Sequence, residues 1–325
     1  MSFWEHLTHH GGRQILRWDP SAPLPNLKGC ALALSSSAAR DVTPPPTLAF
    51  AELCRAVAKD PAAASIEALV VGPWWDGYGG WPGPLADPMR DSLAHLALRL
   101  PLLESLMLGD IIQVELMVSL ITHCDYAPLL HQCPQLRDLH VRGSNGLRFS
   151  GLSHAKLESL TIETGNLRRE TLADICAAKL PGLRHLTVFV GTQYYGGDTR
   201  VEDLMPLLSG RLFPNLRHLG LVNGDYADAV VEALAASPIL ERVESLDLSQ
   251  GIMTDAGAEC LLSCPGFSKI QRIDVRDNFI SEEMARRLEA LPCEIDTRHQ
   301  ALAEMDGERL GPPAHGDGYY CNIAE

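Results

Sequence analysis

Aliphatic residues return along this chain in one short pattern, L-x-x-L-x-L, closed within a few positions by glycine or asparagine. Copies open at Ile66, Leu103, Leu136, Leu157, Leu183, Leu216, Val243 and Ile270, in steps of 37, 33, 21, 26, 33, 27 and 27 residues. In extended chain, successive side chains alternate faces. Within VESLDLSQG, Leu246 and Leu248 therefore share one face, while Ser245, Asp247 and Ser249 share the other. Between copies the apolar spacing changes from two to about three or four, the mark of a helix. Met89, Leu93, Leu96 and Leu100 form one such stripe, and Leu172, Ile175, Cys176 and Leu180 the next. Ala227, Val230, Val231 and Leu234 form a third, and Met284, Leu288 and Leu291 a fourth. Asp87-Pro88, Thr254 and Ser281 stand where these helices begin, as capping residues.

Returning the chain to a parallel neighbouring strand requires a crossover, usually helical. The step of 21 is too short for one, so Arg148–Lys156 is expected to cross as turn or coil. Residues 1–62 lack the repeat. They predict strands at Arg13–Trp18 and Cys30–Leu34, and a loop at Ser35–Pro46. A helix capped by Thr47 follows, burying Phe50, Leu53, Cys54 and Val57. A stack of repeats exposes the core at its ends, so this segment is placed to serve as an amino-terminal α/β cap. The expected division is a cap over 1–62, a repeat domain over 63–300 and an irregular tail over 301–325. Cys293–Thr297 is the candidate last strand, and Tyr319–Ile323 a candidate to fold back over the final repeat.

The L-x-x-L-x-L openings and 26–33 residue steps with helical crossovers resemble leucine-rich repeat proteins of the ribonuclease-inhibitor type. The likeness covers roughly residues 66–297. The chain is also similar to a subgroup of uncharacterised bacterial leucine-rich repeat proteins. LPGLRHLTVFVG, FPNLRHLGLVNG, ESLDLSQGIMTDAGAECLL and ISEEMARRL carry that likeness, and YYCNIAE is a looser version of the group's ending. The resemblance implies an α/β solenoid bent into a horseshoe, with a parallel sheet on the concave side and helices on the convex side. It also implies a cytoplasmic bacterial interaction module, and it supplies no catalytic residues.

Composition narrows the partners. Net charge is −14, from 41 acidic and 27 basic residues. That balance disfavours bulk attraction to nucleic acid or anionic membrane, and the resemblance implies a protein partner. No secretory signal or spanning segment is legible, and the nine scattered cysteines read as reduced thiols of a cytoplasmic protein. No cofactor is implied.

The alternate strand residues line the expected concave face: Met107, Asp138, His140, Arg142, Glu163, His185, Phe189, His218, Asp247, Arg272, Asp274 and Arg276. Asp247 and Asp274 should lie on adjacent strands, where two close carboxylates could share a proton or a cation, although Arg272 and Arg276 flank them. His185 and His218 should stack likewise, without an evident third metal ligand. HCDYAPLLHQC holds His123, Cys124, His131 and Cys133, but at no known zinc spacing. Cys260 and Cys264, one turn apart, are read as core packing. Two glycine-aromatic loops, with Trp74, Trp75, Tyr78 and Trp81 in one and Tyr194 and Tyr195 in the other, leave strand ends on an expected common rim. There they could anchor a partner or pack on one another. Two readings follow: a non-enzymatic scaffold binding protein through the concave face and one rim, or a small-ligand binder or enzyme using the rim loops and the Asp247/Asp274 region.

Overall fold

The computed structural model describes residues 5–36, 50–75 and 86–300, with the backbone of 304–305 and 308–309. Thr47, Tyr78, Trp81, the prolines of residues 44–46 and the Tyr319–Ile323 fold-back lie outside the described residues. The chain divides into two compact units. One runs to Glu163 and includes Ala177–Gly182, while the other takes Thr164–Cys176 and the chain from Leu183.

In the first unit the strands are β1 (His9–His10), β2 (Arg13–Arg17), β3 (Cys30–Leu34), β4 (Ala68–Val71), β5 (Ser105–Leu108), β6 (Asp138–Arg142) and β7 (Ser159–Glu163). They neighbour one another in chain order, β1 antiparallel to β2 and the others parallel. Register is set by leucine: Leu32 pairs with Leu69, Leu69 with Leu106, Leu106 with Leu139, and Leu139 with Leu160. All five are buried, each stabilising by about 1.5–3 kcal/mol relative to exposure. Helices α1 (Phe50–Lys59), α2 (Asp87–Ala97) and α3 (Ala127–His131) supply crossovers. On α1 the four expected residues Phe50, Leu53, Cys54 and Val57 are buried. Asp87 lies inside α2 and pairs with Arg90 at 2.9 Å, while Ala86 takes the cap position without a side-chain bond.

The second unit holds α4 (Arg169–Ala177), β8 (His185–Gly191), α5 (Val201–Leu208), β9 (His218–Gly224), α6 (Ala227–Ala235), β10 (Ser245–Asp247), α7 (Asp255–Ser263), β11 (Arg272–Asp274), α8 (Glu282–Leu288) and β12 (Glu294–Asp296). Its parallel register again joins aliphatic to aliphatic: Leu186, Leu219, Leu246, Ile273 and Ile295. Thr254 and Ser281 cap α7 and α8 through bonds from the N–H groups of Ala256 and Met284. The strand expected at Cys293–Thr297 is β12. A short antiparallel pair, Glu304–Met305 and Glu308–Arg309, follows.

Residues 148–156 contain no helix, as the short step required. Bridges Asp125–Arg148 and Ser153–Lys179 replace it. From residues 1–62, β2 and β3 join the parallel ladder through β4. The glycine closing a repeat opening has a steric cause at Gly109. Its φ is +91°, and a Cβ there would lie 2.5 Å from the Arg142 carbonyl oxygen.

The asparagine closing the last opening serves the turn differently. Asn278 is fully buried, and its Oδ1 accepts from the Met253 N–H at 2.9 Å. Its Nδ2 lies 2.9, 3.0 and 3.1 Å from the carbonyls of Leu248, Val275 and Arg276. Asn278→Ala strands these groups in the interior and is expected to cost about 1–3 kcal/mol. A urea midpoint unchanged from that of the unaltered chain would remove this role.

Candidate interaction surface

Alternation puts the leucine ladder on one side of the strands and the remaining strand residues on the other. In the first unit that second side is covered. Residues 5–10 lie on it, and Leu7 and Ile15 pack against a buried patch of Ala31, Ala33, Ala68, Val70 and Met107. Met107, expected as a surface contact, is 0% exposed for this reason. The Leu7 N–H donates to Asp110 Oδ1 at 3.1 Å, and His6 Nδ1 lies 3.2 Å from Asp110 Oδ2. His6 Nε2 lies 3.4 Å from Glu115 Oε1, and Arg17 approaches Asp110 Oδ2 at 3.3 Å. Burial alone would lower the His6 pKa, but the bonds to Asp110 and Glu115 outweigh it and raise it to about 9. His10 Nε2 meets Ser105 Oγ at 2.8 Å, and that hydroxyl donates to Asp138 Oδ2 at 2.8 Å. Burial, ahead of the opposing Asp138 charge, lowers His10 to about 4.

Beside this cover, His140, Arg142 and Glu163 are also buried, so none of them stands on an open face as expected. Glu163 Oε2 accepts from His140 Nε2 at 2.8 Å and from Arg142 Nε at 3.2 Å, and Arg142 Nη1 reaches the Ile111 carbonyl at 3.3 Å. The reason is pairing: a carboxylate and a guanidinium on adjacent strands neutralise each other and can leave water together. Burial pushes the Glu163 pKa up, but the His140 bond and the Arg142 charge overcome it and hold it at about 2.

The second unit keeps an open polar face. His185 is exposed and His218 half-buried, with ring centroids 6.0 Å apart. His218 Nδ1 lies 2.8 Å from Ser245 Oγ, and burial, with the His185 and Arg272 charges, lowers its pKa to about 4. Asp247, Asp274 and Asp296 stand in register on β10, β11 and β12, with Asp274 buried between its neighbours rather than open as expected. Arg276 Nε lies 2.9 Å from both Asp274 oxygens and 3.4 Å from Asp296 Oδ2, while Arg298 Nη2 donates to Asp296 at 2.6 Å. Asp247 lacks an arginine two positions on, since Ser249 stands there, donating through its N–H and hydroxyl. Desolvation by burial raises the Asp247 pKa. Arg272 is exposed, whereas Phe189, in register with Val222, is buried and contributes little open surface.

The aromatic loops fall in different units. Trp74 is buried against Trp75, ring centroids 5.3 Å apart, and against His123 at 5.8 Å, so packing claims it. Trp75 is half-buried. After β8, Tyr195 stacks edge-on with Tyr194, which is 82% exposed. His123 is an interior histidine, with its ring nitrogens 2.9 Å from Tyr126 Oη and 2.8 Å from the Arg142 carbonyl, and burial lowers it to about 4. Cys124 and Cys133 are buried beside the strands, and no cluster of metal-ligating residues occurs among the described residues. Cys260 and Cys264 are half-buried at the end of α7, not in the core as expected. A groove lined by Ala51, Cys54, Arg55, Ala58, Ser92, His95 and Leu96 lies between α1 and α2, on the helical side.

Sequence reading missed His6, Leu7, His10 and Asp110, and with them the covering of the first face. Asp110 directly follows a repeat glycine, a weak cue, and nothing near His6 points to a partner 104 residues away. Asp296 and Arg298 were findable, because Asp296-Thr297-Arg298 repeats Asp274-Val275-Arg276.

Against solved structures, a protein of Bacteroides fragilis from a structural genomics programme matches with a TM-score of 0.71 and 31% identity, over 77% of this chain and 70% of that one. The chain belongs to that protein's family. It is a leucine-rich repeat solenoid, as the repeat spacing predicted. An internalin of Listeria monocytogenes matches this leucine-rich repeat chain with a TM-score of 0.33 and 17% identity, over 76% and 75% of the two chains. A leucine-rich repeat protein of Leptospira interrogans does so with a TM-score of 0.23 and 12% identity, over 84% and 92%. No family model and no curated protein matches the chain. No helix among the described residues is long and apolar enough to cross a membrane.

Two expectations follow for the repeats. Glu163→Gln removes the buried charge that accepts from both His140 and Arg142, and is expected to lower stability by about 1–3 kcal/mol. Because the Glu163 pKa is depressed from 4.5 to about 2, its stabilisation is present above 4.5 and is lost as pH falls towards 2. The variant's melting temperature should therefore fall less steeply with acid than that of the unaltered chain, and parallel acid profiles would contradict the assignment. Asp247 has the opposite sign. With a raised folded pKa the folded state holds the proton more tightly, so stability declines as pH rises through that range. Asp247→Asn keeps an acceptor for Ser249 and should raise the melting temperature at pH 7, with a smaller gain near pH 4. A lowered melting temperature at pH 7 would contradict this.

Proposed function

We infer that the protein is a non-enzymatic, cytoplasmic interaction scaffold that binds a protein through the open strand face of its second unit and the adjoining Tyr194-Tyr195 turn. The observation that carries this reading is the row structure of that face. His185 and His218 form one file along consecutive strands, and Asp247, Asp274 and Asp296 form a second, bordered by Arg276 and Arg298. Strands about 4.8 Å apart present these groups as a broad, shallow array, the geometry of a protein footprint. Exposed Arg272, Arg298 and Tyr194 are of the residue types that dominate binding energy at interfaces. A net charge of −14 favours a protein partner over nucleic acid or an anionic membrane.

The alternative, small-ligand or enzymatic use of Asp247 and Asp274, meets a specific obstacle. Arg276 engages both oxygens of Asp274, so that carboxylate is already paired with a cation. His185 and His218 have no third ligand to complete a metal site among the described residues.

The test is affinity capture from the native cell with mass spectrometry. Arg272→Glu and Tyr194→Ala should each reduce recovery of the captured protein about tenfold or more, the effect of losing roughly 1.4 kcal/mol. Arg286→Glu, an exposed substitution on α8, should leave recovery unchanged. Equal recovery with all three would remove the face from consideration. Turnover of a substrate by purified protein, abolished by Asp274→Asn in a folded chain, would replace the scaffold reading with the enzymatic one.

A further inference from the structure

Residues 5–10 cross the strand face of the first unit, and each contact they make is one a separate peptide could make. Leu7 seats its side chain on the patch of Ala31, Ala33, Ala68, Val70 and Met107. Its backbone N–H donates to Asp110 Oδ1. The imidazole before it lies 3.2 Å from the other Asp110 oxygen and 3.4 Å from Glu115. Three residues beyond Leu7, His10 engages Ser105. The chain then reverses through Gly11 and Gly12, at φ +55° and +72°, and the Ile15 N–H donates to the Thr8 carbonyl at 2.9 Å. The cations of the surrounding sheet are already engaged, Arg13 with Glu67 and Glu104, and Arg17 with Asp110. One aliphatic patch beside a buried acid is therefore covered by a short segment in which, among the described residues 5–10, Leu7 is the apolar anchor. Such a segment belongs to the low-stability end of a structure, where local opening is cheap.

We propose that residues 5–10 are a ligand in cis of this face, and that the same site takes in trans an extended segment of a partner protein bearing a basic residue followed by an aliphatic one. The partner's class rests on the interaction reading above, but the surface is a different one. Asp110 and Glu115 select the cation, the Asp110 carboxylate also reads the next backbone N–H, and the patch around Val70 and Met107 selects the aliphatic side chain. The cis segment sets the affinity, because a partner binds only the fraction of molecules whose strap has opened. The His6 ion pairs with Asp110 and Glu115 stabilise closure fully below pH 6.5, and this contribution is lost as pH rises through about 9.

The experiment titrates a fluorescent peptide copying residues 5–12 into the full chain and follows anisotropy. Leu7→Asp removes the anchor and sets a like charge beside Asp110, so the altered chain should bind the peptide about tenfold or more tightly than the unaltered one. The peptide with His6→Lys should still bind, and the peptide with Leu7→Asp should not. Adding Asp110→Asn to the Leu7→Asp chain should abolish the gain. His6→Ala is a second, milder opening should Leu7→Asp unfold the chain, and circular dichroism establishes which variants are folded. If a folded variant whose amides at residues 5–10 exchange freely binds the peptide no better than the unaltered chain, the proposal is overturned. It is equally overturned if binding survives Asp110→Asn. Arg272→Glu and Tyr194→Ala do not touch this site, so the two readings fail separately.

Discussion

The in-register stacking of one aliphatic side chain per repeat is the constraint from which the rest follows. Leu32, Leu69, Leu106, Leu139 and Leu160 do this in the first unit, and Leu186, Leu219, Leu246, Ile273 and Ile295 in the second. No single strand and crossover can bury its own apolar face, so each repeat is stable only against its neighbours. The register is also unforgiving. Because the side-chain period is two, a slip by one residue would turn every leucine to water and every aspartate into the core. The opposite face thus inherits its order from the leucines: Asp274 lies beside Asp247 because Ile273 lies beside Leu246.

Once the faces are fixed, charge decides how each is used. In the first unit Glu163 and Arg142 are drawn into the interior with His140, where removing one member leaves the other costly. In the second unit Arg276 and Arg298 lie across the aspartates, half-buried and exposed respectively, so the charges are balanced locally even where Asp274 is buried. The same Asp-x-Arg spacing that neutralises Asp274 and Asp296 is interrupted at Ser249. Asp247 is consequently the carboxylate of the row whose proton is held more tightly by burial.

How much of this was legible depended on the range of the interaction. The parallel strands from Ala68 to Asp296, the coil over residues 148–156 and the caps at Thr254 and Ser281 are written in local spacing, and local spacing predicts them. β2 and β3 are legible as strands but not as members of the ladder, because RQILR and CALAL lack the L-x-x-L spacing that marks the later repeats. Asp138, His218, Asp247 and Arg276 stand on the face that alternation assigns them. Met107, His140, Arg142, Glu163, Phe189 and Asp274 do so too, yet are buried, because alternation says which way a side chain points and nothing about what lies over it. For Met107 the covering is Leu7, brought from a hundred residues away by chain reversal at Gly11 and Gly12. No periodicity could announce it.

The small apolar positions of β3 and β4 acquire a reason in that covering. Ala31, Ala33, Ala68 and Val70 are small and apolar where later strands carry histidine, aspartate and arginine. An exposed apolar patch of this kind invites association with other chains. Covering it from within the same molecule requires an occupant that is short, tethered and matched in charge to Asp110, and residues 5–10 meet all three requirements. A permanently sealed core would need no matching of that sort. Aliphatic bulk alone would close it, as it closes the ladder on the other side of the same strands. That the cover is anchored by one leucine, and otherwise by imidazoles against carboxylates and a serine hydroxyl, places its attachment in interactions that pH and competing ligands can reach.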